Sequence, residues 1–404
     1  MFSTVAHFDK ISEGFENDSF KDLMSEILSE GLDKVLFRNA NHPLRKEAAL
    51  QCYIRHRYGR KFTSILSRFP GWLFPPGMPL QQASHHLTAE CKAELAGNYS
   101  RIIDLTGGLG MDSIAFADKV DSVIYLEHNP EIYRYNAHNF VRYISNAKPI
   151  QADSVQWLRE NVTTGMPHTL LYADPARRTT SGKQTIHLKN YLPDPHILSQ
   201  LAREKSLSLI VKVSPMADID YISHSLGGVS EVHLLAVQNE LKEILLFQNQ
   251  HVRYPQLKIW LCATHGNILL FEGKQLHSTK SIQIRSTPFR FLFLPHPALI
   301  KARADIQIAN EVDLMGFHPE AKIYTSDVKI NLKGWRVFEV IDFASSLSDL
   351  VNVSEAMIVT GKFPEKPEVI RKRHRIAESS SKLLVVTKTG KNDNLWILAK
   401  KLFN

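Results

Sequence analysis

Cysteine is scarce in this 404-residue chain. Cys52, Cys91 and Cys262 form an odd, widely spaced set, with neither the paired spacing of a structural metal site nor the even count of a disulfide framework. Free thiols in a reducing cytoplasm are expected. No run of about 18 apolar residues occurs, so no transmembrane helix is expected. The first thirty residues carry Asp9, Glu13, Glu16 and Asp18 and lack the basic and unbroken apolar regions of a signal peptide. Internal repeats and low-complexity tracts are absent. Histidine is plentiful at 18, yet His85, His86, His187, His196 and His296 form no ligand triad, and no catalytic metal is expected.

What is present fits two to four domains with a sizeable core. The 49 Lys and Arg against 41 Asp and Glu leave a net charge of +8, which suits a polyanionic partner without establishing one. From about Phe20 to Leu95 the spacing is helical, with Leu44, Ala48, Tyr53 and Ile54 on one stripe. "RFPGWLFPPGMPL" interrupts it as a loop or extended arm, and Thr88 is read as the N-cap of the helix in "LTAECKAEL". From Arg101 the pattern changes. "RIIDL", "SVIYLE", "KPIQAD", "TLLYADP" and "LSLIVKVSP" are short apolar runs separated by helix-length intervals, which predicts a parallel, doubly wound sheet. "EVHLLAV" and "EILLF" follow, too close together for a crossover helix, so they are expected to run antiparallel. After about Gln248 the reading is α+β, with "KIWLCAT" and "NILLFEG" as a hairpin and "WRVFEVI", "KLLVVT" and "LWILAKKL" as later strands.

The stretch "RIIDLTGGLGMDS" carries the first chemical signal. A dinucleotide loop needs a third glycine and a helix N-terminus free to receive pyrophosphate. Here Ser113 stands in place of that glycine, and Asp112 places a carboxylate where phosphate would approach. S-adenosylmethionine, which carries no phosphate, fits better. On this reading Asp104 engages the ligand's ammonium, and Thr106, Gly107, Gly108, Gly110 and Asp112 belong to the loop around its methionine part. Glu127, ending the second strand, offers two oxygens to the ribose diol, and Asp153, after the third, accepts from the adenine amino group. Each element also has a purely structural reading, a strand-to-helix turn or a helix cap. Their ordered occurrence at successive strand ends argues for a ligand crevice at the switch point of the sheet.

"YADPARR" ends the fourth strand, where such a sheet places the group to be methylated. Asp174 positions the acceptor or takes its proton, and Pro175 stiffens the backbone. Ala176 and Arg177 stand where many amine-methylating loops have a second proline and an aromatic. Arg177 and Arg178 grip a substrate phosphate or form surface salt bridges, and Lys183 lies in the polar segment that follows. No cysteine adjoins this motif, so a covalent cysteine adduct is not expected, and direct in-line transfer to a nitrogen or an oxygen is expected, with nitrogen favoured.

Together, "PLQQASHHLTAECKAEL", "DLTGGLGMDS", "YLEHNPE" with "NAHNF", "YADPARR", "VKVSP" and "LPHPALIKA" resemble a bacterial family of class I S-adenosylmethionine-dependent methyltransferases with a THUMP-like C-terminal domain. The family's usual Glu-Gln-Cys-Ser-Ser-Glu is replaced by residues 81 to 86, whereas Thr88 and Lys92 fit. The resemblance implies an α/β, Rossmann-like methyltransferase sheet of parallel strands ending in an antiparallel hairpin. It implies an N-terminal helical module over 1–97, the catalytic domain over 98–250, a ferredoxin-like α+β module over 251–328 and a THUMP-like domain over 329–404. Because THUMP domains deliver RNA, a base of structured RNA, transfer or ribosomal, is implied as substrate. Two basic clusters suit it: Arg55, Arg57 and Arg60 in "RHRYGRK", and Arg371, Arg373 and Arg375 in "IRKRHR". Each is equally a solvated helix face. A protein or small-molecule methyltransferase, or an RNA-binding module without activity, is the alternative.

Overall fold

The computed structural model describes residues 18–402 apart from 32–33, 36–37, 40, 43, 76–79, 81–82, 178–187, 250–254, 275–280 and 352. They form two compact units, Met1–Val232 with Lys242–Arg253 and His233–Leu241 with Tyr254–Asn404.

The first unit begins with helices α1 (Asp18–Glu30), α2 (Arg45–Tyr58), α3 (Thr63–Arg68) and α4 (His86–Leu95). Then β1 (Arg101–Asp104), α5 (Met111–Ala117), β2 (Ser122–Glu127), α6 (Pro130–Tyr143), β3 (Ala147–Gln151), α7 (Ser154–Asn161) and β4 (Thr169–Ala173) alternate. A two-stranded ribbon, β5 (Ala176–Arg177) with β6 (Tyr191–Leu192), precedes α8 (Pro195–Glu204), β7 (Ser208–Val213) and α9 (Ile219–Leu226). The sequence sets these helix starts locally. Asn129 and Asp194 each precede a proline and accept backbone N–H bonds from the first turn, and Asp153 and Asp218 cap α7 and α9 in the same way.

Beyond α9 come β8 (Glu231–Val237) and β9 (Glu240–Gln248), joined by a two-residue turn. Within the first unit the strand order is β3-β2-β1-β4-β7-β9. Strands β3, β2, β1, β4 and β7 are parallel, while β9 is antiparallel to β7, with Leu209 opposite Gln248 and Val213 opposite Ile244. The order reverses between β1 and β4, the switch point at which sheets of this kind take their ligands.

The helices before β1 are not a separate layer. Ile54, Phe62, Ile65, Trp72 and Phe74 share one core with Leu109, Met111, Ile114, Tyr125 and Phe140, each fully buried large side chain contributing about 1.5–3 kcal/mol. The arm at 72–74 is fixed by side-chain amides acting as strand partners. Asn139 donates to the Leu73 carbonyl (2.8 Å) and accepts from its N–H (2.9 Å), and Gln51 does the same for Phe74 (2.8 and 3.0 Å). Tyr53, expected on the apolar stripe of α2, is 49% exposed; Cys52 is buried there instead.

The second unit contains β8 with β10 (Gln256–Leu261) and β11 (Ile268–Lys274), which form the expected antiparallel hairpin. After β12 (Phe291–Pro295) come α10 (Pro297–Lys301), α11 (Ala304–Glu311), β13 (Met315–Gly316), β14 (Tyr324–Ser326), β15 (Trp335–Ala344) and β16 (Met357–Thr360), then α12 (Pro367–His374), β17 (Lys382–Lys388) and β18 (Asn394–Lys401). These strands make a single sheet in the order β13-β14-β12-β15-β18-β17-β16. Because β12 pairs with β15, Phe291 opposite Glu339 and Pro295 opposite Trp335, the segments on either side of residue 328 lie in that one sheet.

Candidate functional site

The glycine loop between β1 and α5 is held by its neighbours rather than by its own composition. Gly107 lies so close to Tyr125 that an added Cβ would stand 2.2 Å from the ring, and Gly110, at φ +76°, lies likewise against Phe140 (2.8 Å). Gly108 is left-handed at φ +53°. Its carbonyl accepts from the Tyr125 hydroxyl (2.7 Å) and the Asn136 amide (2.5 Å), and its N–H donates to Glu127 Oε2 (3.0 Å). The other Glu127 oxygen accepts from the Asn129 N–H (2.7 Å). A buried carboxylate thus ties the end of β2 to the loop.

Asp104 is buried at the end of β1. Its Oδ1 accepts from the Thr106 N–H (3.1 Å) and its Oδ2 from the Ser113 hydroxyl (2.6 Å). Burial pushes its carboxyl up to about 7, against the pull of those bonds and with help from the nearby Asp112 charge. Among the described residues no lysine or arginine is paired with it. A buried carboxylate with two neutral donors and no cation suits an incoming ammonium group. This is the observation by which the aminocarboxylate end of S-adenosylmethionine fits the loop.

Asp112 has a different role from the one expected. Its carboxylate accepts from Ser84 (2.9 Å) and Tyr172 (2.6 Å) and is paired with the Lys92 ammonium at 2.7 Å. Its charge is compensated inside the protein, so it neither repels a phosphate at the loop nor offers itself to a ligand. Asp153 likewise follows its structural reading: it is exposed and caps α7 through the Gln156 N–H (2.9 Å).

Asp174 follows β4, and its N–H donates to Thr106 Oγ1 (2.6 Å), which joins the fourth-strand motif to the glycine loop. Its Oδ2 accepts from the Lys212 ammonium on β7 at 2.6 Å. Lys212 also donates to Ser84 (3.2 Å) and lies 3.8 Å from Glu243 on β9. Lys92, wholly buried on α4, completes the cluster. Its Nζ is 2.7 Å from Glu243 Oε2, 3.1 Å from Ser84 and 3.4 Å from the Tyr172 hydroxyl. Glu243 Oε1 accepts from Thr88 (2.8 Å). Thr88 therefore lies inside α4, while His85 supplies the N-cap. Two ammonium groups and three carboxylates share this space, and only its Asp174 end opens outward, with side-chain exposures of 37% for Asp174 and 12% for Lys212.

The electrostatics follow from that crowding. Burial alone opposes ionisation of Asp112 and Glu243, but the two lysines outweigh it and hold both carboxyls below their usual range. Burial likewise opposes the charge on Lys212, and Asp174, Glu243 and Asp112 more than offset it. Asp174 is held above its ordinary range by burial despite Lys212. Sequence reading singled out Asp174 but not Ser84, Tyr172, Lys212 or Glu243 as site residues.

The expected basic residues divide. Arg55 donates to the Pro70 and Trp72 carbonyls (2.9 and 3.0 Å), and Arg371 to those of Ile376 and Ala356 (both 3.1 Å). Both hold the fold together. Arg373 pairs with Glu365 at 2.7 Å, while Arg57, Arg60 and Arg375 are exposed. Pro175 is buried beside Asp174; the Arg177 backbone lies in β5, and Arg178 and Lys183 fall outside the described residues. All three cysteines are buried, and no described helix is long and apolar enough to cross a membrane.

No family model and no curated protein matches the chain. Among solved structures it is similar to a "putative methyltransferase from Porphyromonas gingivalis W83", at 25% identity with a TM-score of 0.83, covering 95% of this chain and 98% of that one. The fold is a Rossmann-like methyltransferase fold. Partial likenesses include an "rRNA Methylase from Streptococcus thermophilus", at 16% identity and TM-score 0.28, covering 41% of this chain and 96% of that one. Another is a "putative RNA methyltransferase PH1948 from Pyrococcus horikoshii", at 14% and 0.33, covering 48% and 99%.

Proposed function

We propose that this protein is a cytoplasmic S-adenosylmethionine-dependent methyltransferase acting on structured RNA, transfer or ribosomal. The observation that carries the cofactor reading is the buried, cation-free Asp104 beside a glycine loop whose Gly108 N–H is held by Glu127, on a fold that matches a protein described as a methyltransferase along nearly its full length. Asp104 would receive the ammonium, Gly107, Gly108 and Gly110 the methionine backbone, and Glu127 the ribose diol. The bound cofactor supplies an electrophilic methyl group on sulfur. The chain's own part is to seat the acceptor beside Asp174 and receive its proton, since orienting the reactants accounts for much of the acceleration in such transfers. The RNA reading rests on the resemblance in the sequence and on the exposed Arg57, Arg60 and Arg375. Three free, buried cysteines suit a reducing compartment.

Calorimetry tests the cofactor assignment. S-adenosylmethionine and its demethylated product should both bind, and Glu127→Ala should cost about 1–3 kcal/mol, the scale of a lost charge-assisted hydrogen bond. Unchanged affinity in that variant, or tight binding of NAD by the wild type, would overturn it.

A further inference from the structure

Proton and lone-pair requirements at the acceptor atom distinguish its possible identities. An exocyclic amine or a ring nitrogen brings one lone pair, and that pair must form the bond to the methyl carbon. A hydrogen-bond donor placed against it competes with the reaction. A hydroxyl oxygen brings two lone pairs and one proton. One pair attacks, the other is free to accept a hydrogen bond, and the proton needs an acceptor.

The open end of the buried cluster offers both complements. Lys212 has three N–H bonds. Asp174 at 2.6 Å and Ser84 at 3.2 Å take two, and Glu243 at 3.8 Å is beyond hydrogen-bond length. Asp174 accepts from Lys212 through Oδ2 only, and among the described residues its Oδ1 has no hydrogen-bond partner. A charged donor and a carboxylate oxygen thus stand side by side at the one solvent-reaching edge of the cluster. The chain has Ala176 and Arg177 after Pro175, so these positions supply no aromatic ring on which a flipped-out base would stack.

We infer that the acceptor is a hydroxyl oxygen, the 2′-hydroxyl of a ribose, held between Asp174 and Lys212. This rests on the RNA methyltransferase reading above and takes the oxygen in place of the nitrogen favoured from sequence. As the new C–O bond forms from one oxygen lone pair, the electron pair of the S–CH3 bond returns to sulfur. The hydroxyl proton passes to Asp174 Oδ1, and the second lone pair accepts from Lys212. Charge balances locally. Counting these five groups alone, Lys92 and Lys212 against Asp112, Asp174 and Glu243 leave one negative charge, which the transferred proton offsets. Lys92, Asp112 and Glu243 act as positioning residues that keep Lys212 charged and aimed.

The test combines a binding measurement without cofactor and a product measurement. The full chain is titrated by fluorescence anisotropy against a random-sequence RNA 30-mer and its fully 2′-O-methylated counterpart. The methylated strand should bind about tenfold more weakly, the scale of a charge-assisted hydrogen bond lost, and the difference should vanish in Asp174→Asn. Equal affinities in the wild type overturn the inference without any variant. With labelled S-adenosylmethionine and RNA from cells lacking the gene, mass spectrometry should find the methyl on the ribose fragment. Asp174→Asn should slow transfer by about 100-fold or more, as for loss of a proton acceptor; its amide oxygen would still serve an amine. A methyl on the base fragment overturns the hydroxyl assignment and leaves the proposed function standing. Cofactor binding with label on protein hydroxyls instead of RNA overturns the ribose assignment and the RNA reading together. Failure to bind S-adenosylmethionine overturns the methyltransferase reading itself.

Discussion

Replacing Lys92 by methionine tests the energetics of the buried cluster most sharply. The ammonium is fully enclosed and lies 2.7 Å from both Asp112 and Glu243, with Ser84 and Tyr172 completing its shell. Methionine fills similar space, so the cavity term is small. What remains is Asp112 without its ion-pair partner and Glu243 with Lys212 alone, at 3.8 Å. Breaking a buried pair in this way costs about 3–5 kcal/mol, which for a unit of this size lowers the melting temperature by roughly 6–20 °C. The pH dependence must also change sign. In the wild type Asp112 and Glu243 lie below their ordinary range, so their contribution is present at neutral pH and is lost as pH falls through their folded values. Without Lys92 both move upward, Asp112 the more because Glu243 keeps Lys212, so the variant's deficit is full near pH 8 and narrows toward pH 5, where the Asp112 carboxyl protonates. Asp112→Asn added to Lys92→Met should recover about 1–3 kcal/mol by removing the carboxylate that has lost its ion-pair partner. Thermal melts followed by circular dichroism at pH 5, 6.5 and 8 read all three. A variant melting within about 2 °C of the wild type, or a deficit that widens on acidification, would refute the reasoning.

Three further outcomes are expected. Asp104, with its carboxyl at about 7, favours the folded state in its protonated form, a contribution present at low pH and lost as pH rises through that value. A bound ammonium reverses this, so S-adenosylmethionine should expel nearly one proton on binding near pH 6 and fewer as pH rises past about 7; calorimetric heats identical in phosphate and Tris near pH 6 would contradict it. Gly107→Ala, whose Cβ would meet the buried Tyr125 ring at 2.2 Å, should weaken cofactor binding at least about tenfold. Gly108→Ala has 3.6 Å of room and should cost only about 1–3 kcal/mol of stability, from its left-handed backbone. Neutralising Arg57 and Arg60 should flatten the salt dependence of RNA binding by roughly 0.7 per residue. Arg55→Ala, which removes ties to Pro70 and Trp72, should lower the melting temperature and leave the slope unchanged.

Residues whose role depends on neighbours in the chain were the legible ones. The alternation of apolar runs and helices from Arg101 specifies the parallel sheet, because each strand must be buried on both faces and each crossover must be helical. The glycine loop, Glu127 and Asp174 stand at strand ends, where the order of motifs locates them. The cluster behind Asp174 was hidden because its partners are distant: Lys92 and Glu243 are 151 positions apart, and neither belongs to a periodic pattern with the other. One trace was present. Thr88 and Lys92 are four apart on one face of α4, away from Glu90 and Glu94, which sets a lysine beside a threonine on the side that the two glutamates leave free. Arg55 and Arg371 misled for a related reason, since composition records a cation but not whether carbonyl oxygens await it. Asp112 could be placed on its helix, but not oriented, until Lys92 was known to lie beside it.

The route of the chain through its two units sets the order in which the site is completed. Leu73 waits for Asn139, 66 residues later, before the arm is fastened and the Trp72 and Phe140 rings meet. By then Lys92, Asp104, Asp112 and Glu127 are also in the chain, but Asp174, Lys212 and Glu243 are not. The polypeptide next leaves for the second unit at His233–Leu241 and only then returns with Lys242–Arg253, bringing Glu243 to Lys92. During synthesis, therefore, the crevice is shaped early and its charge cluster is completed late. A fragment ending before that return would carry Lys92 and Lys212 without Glu243, the carboxylate that lies against both.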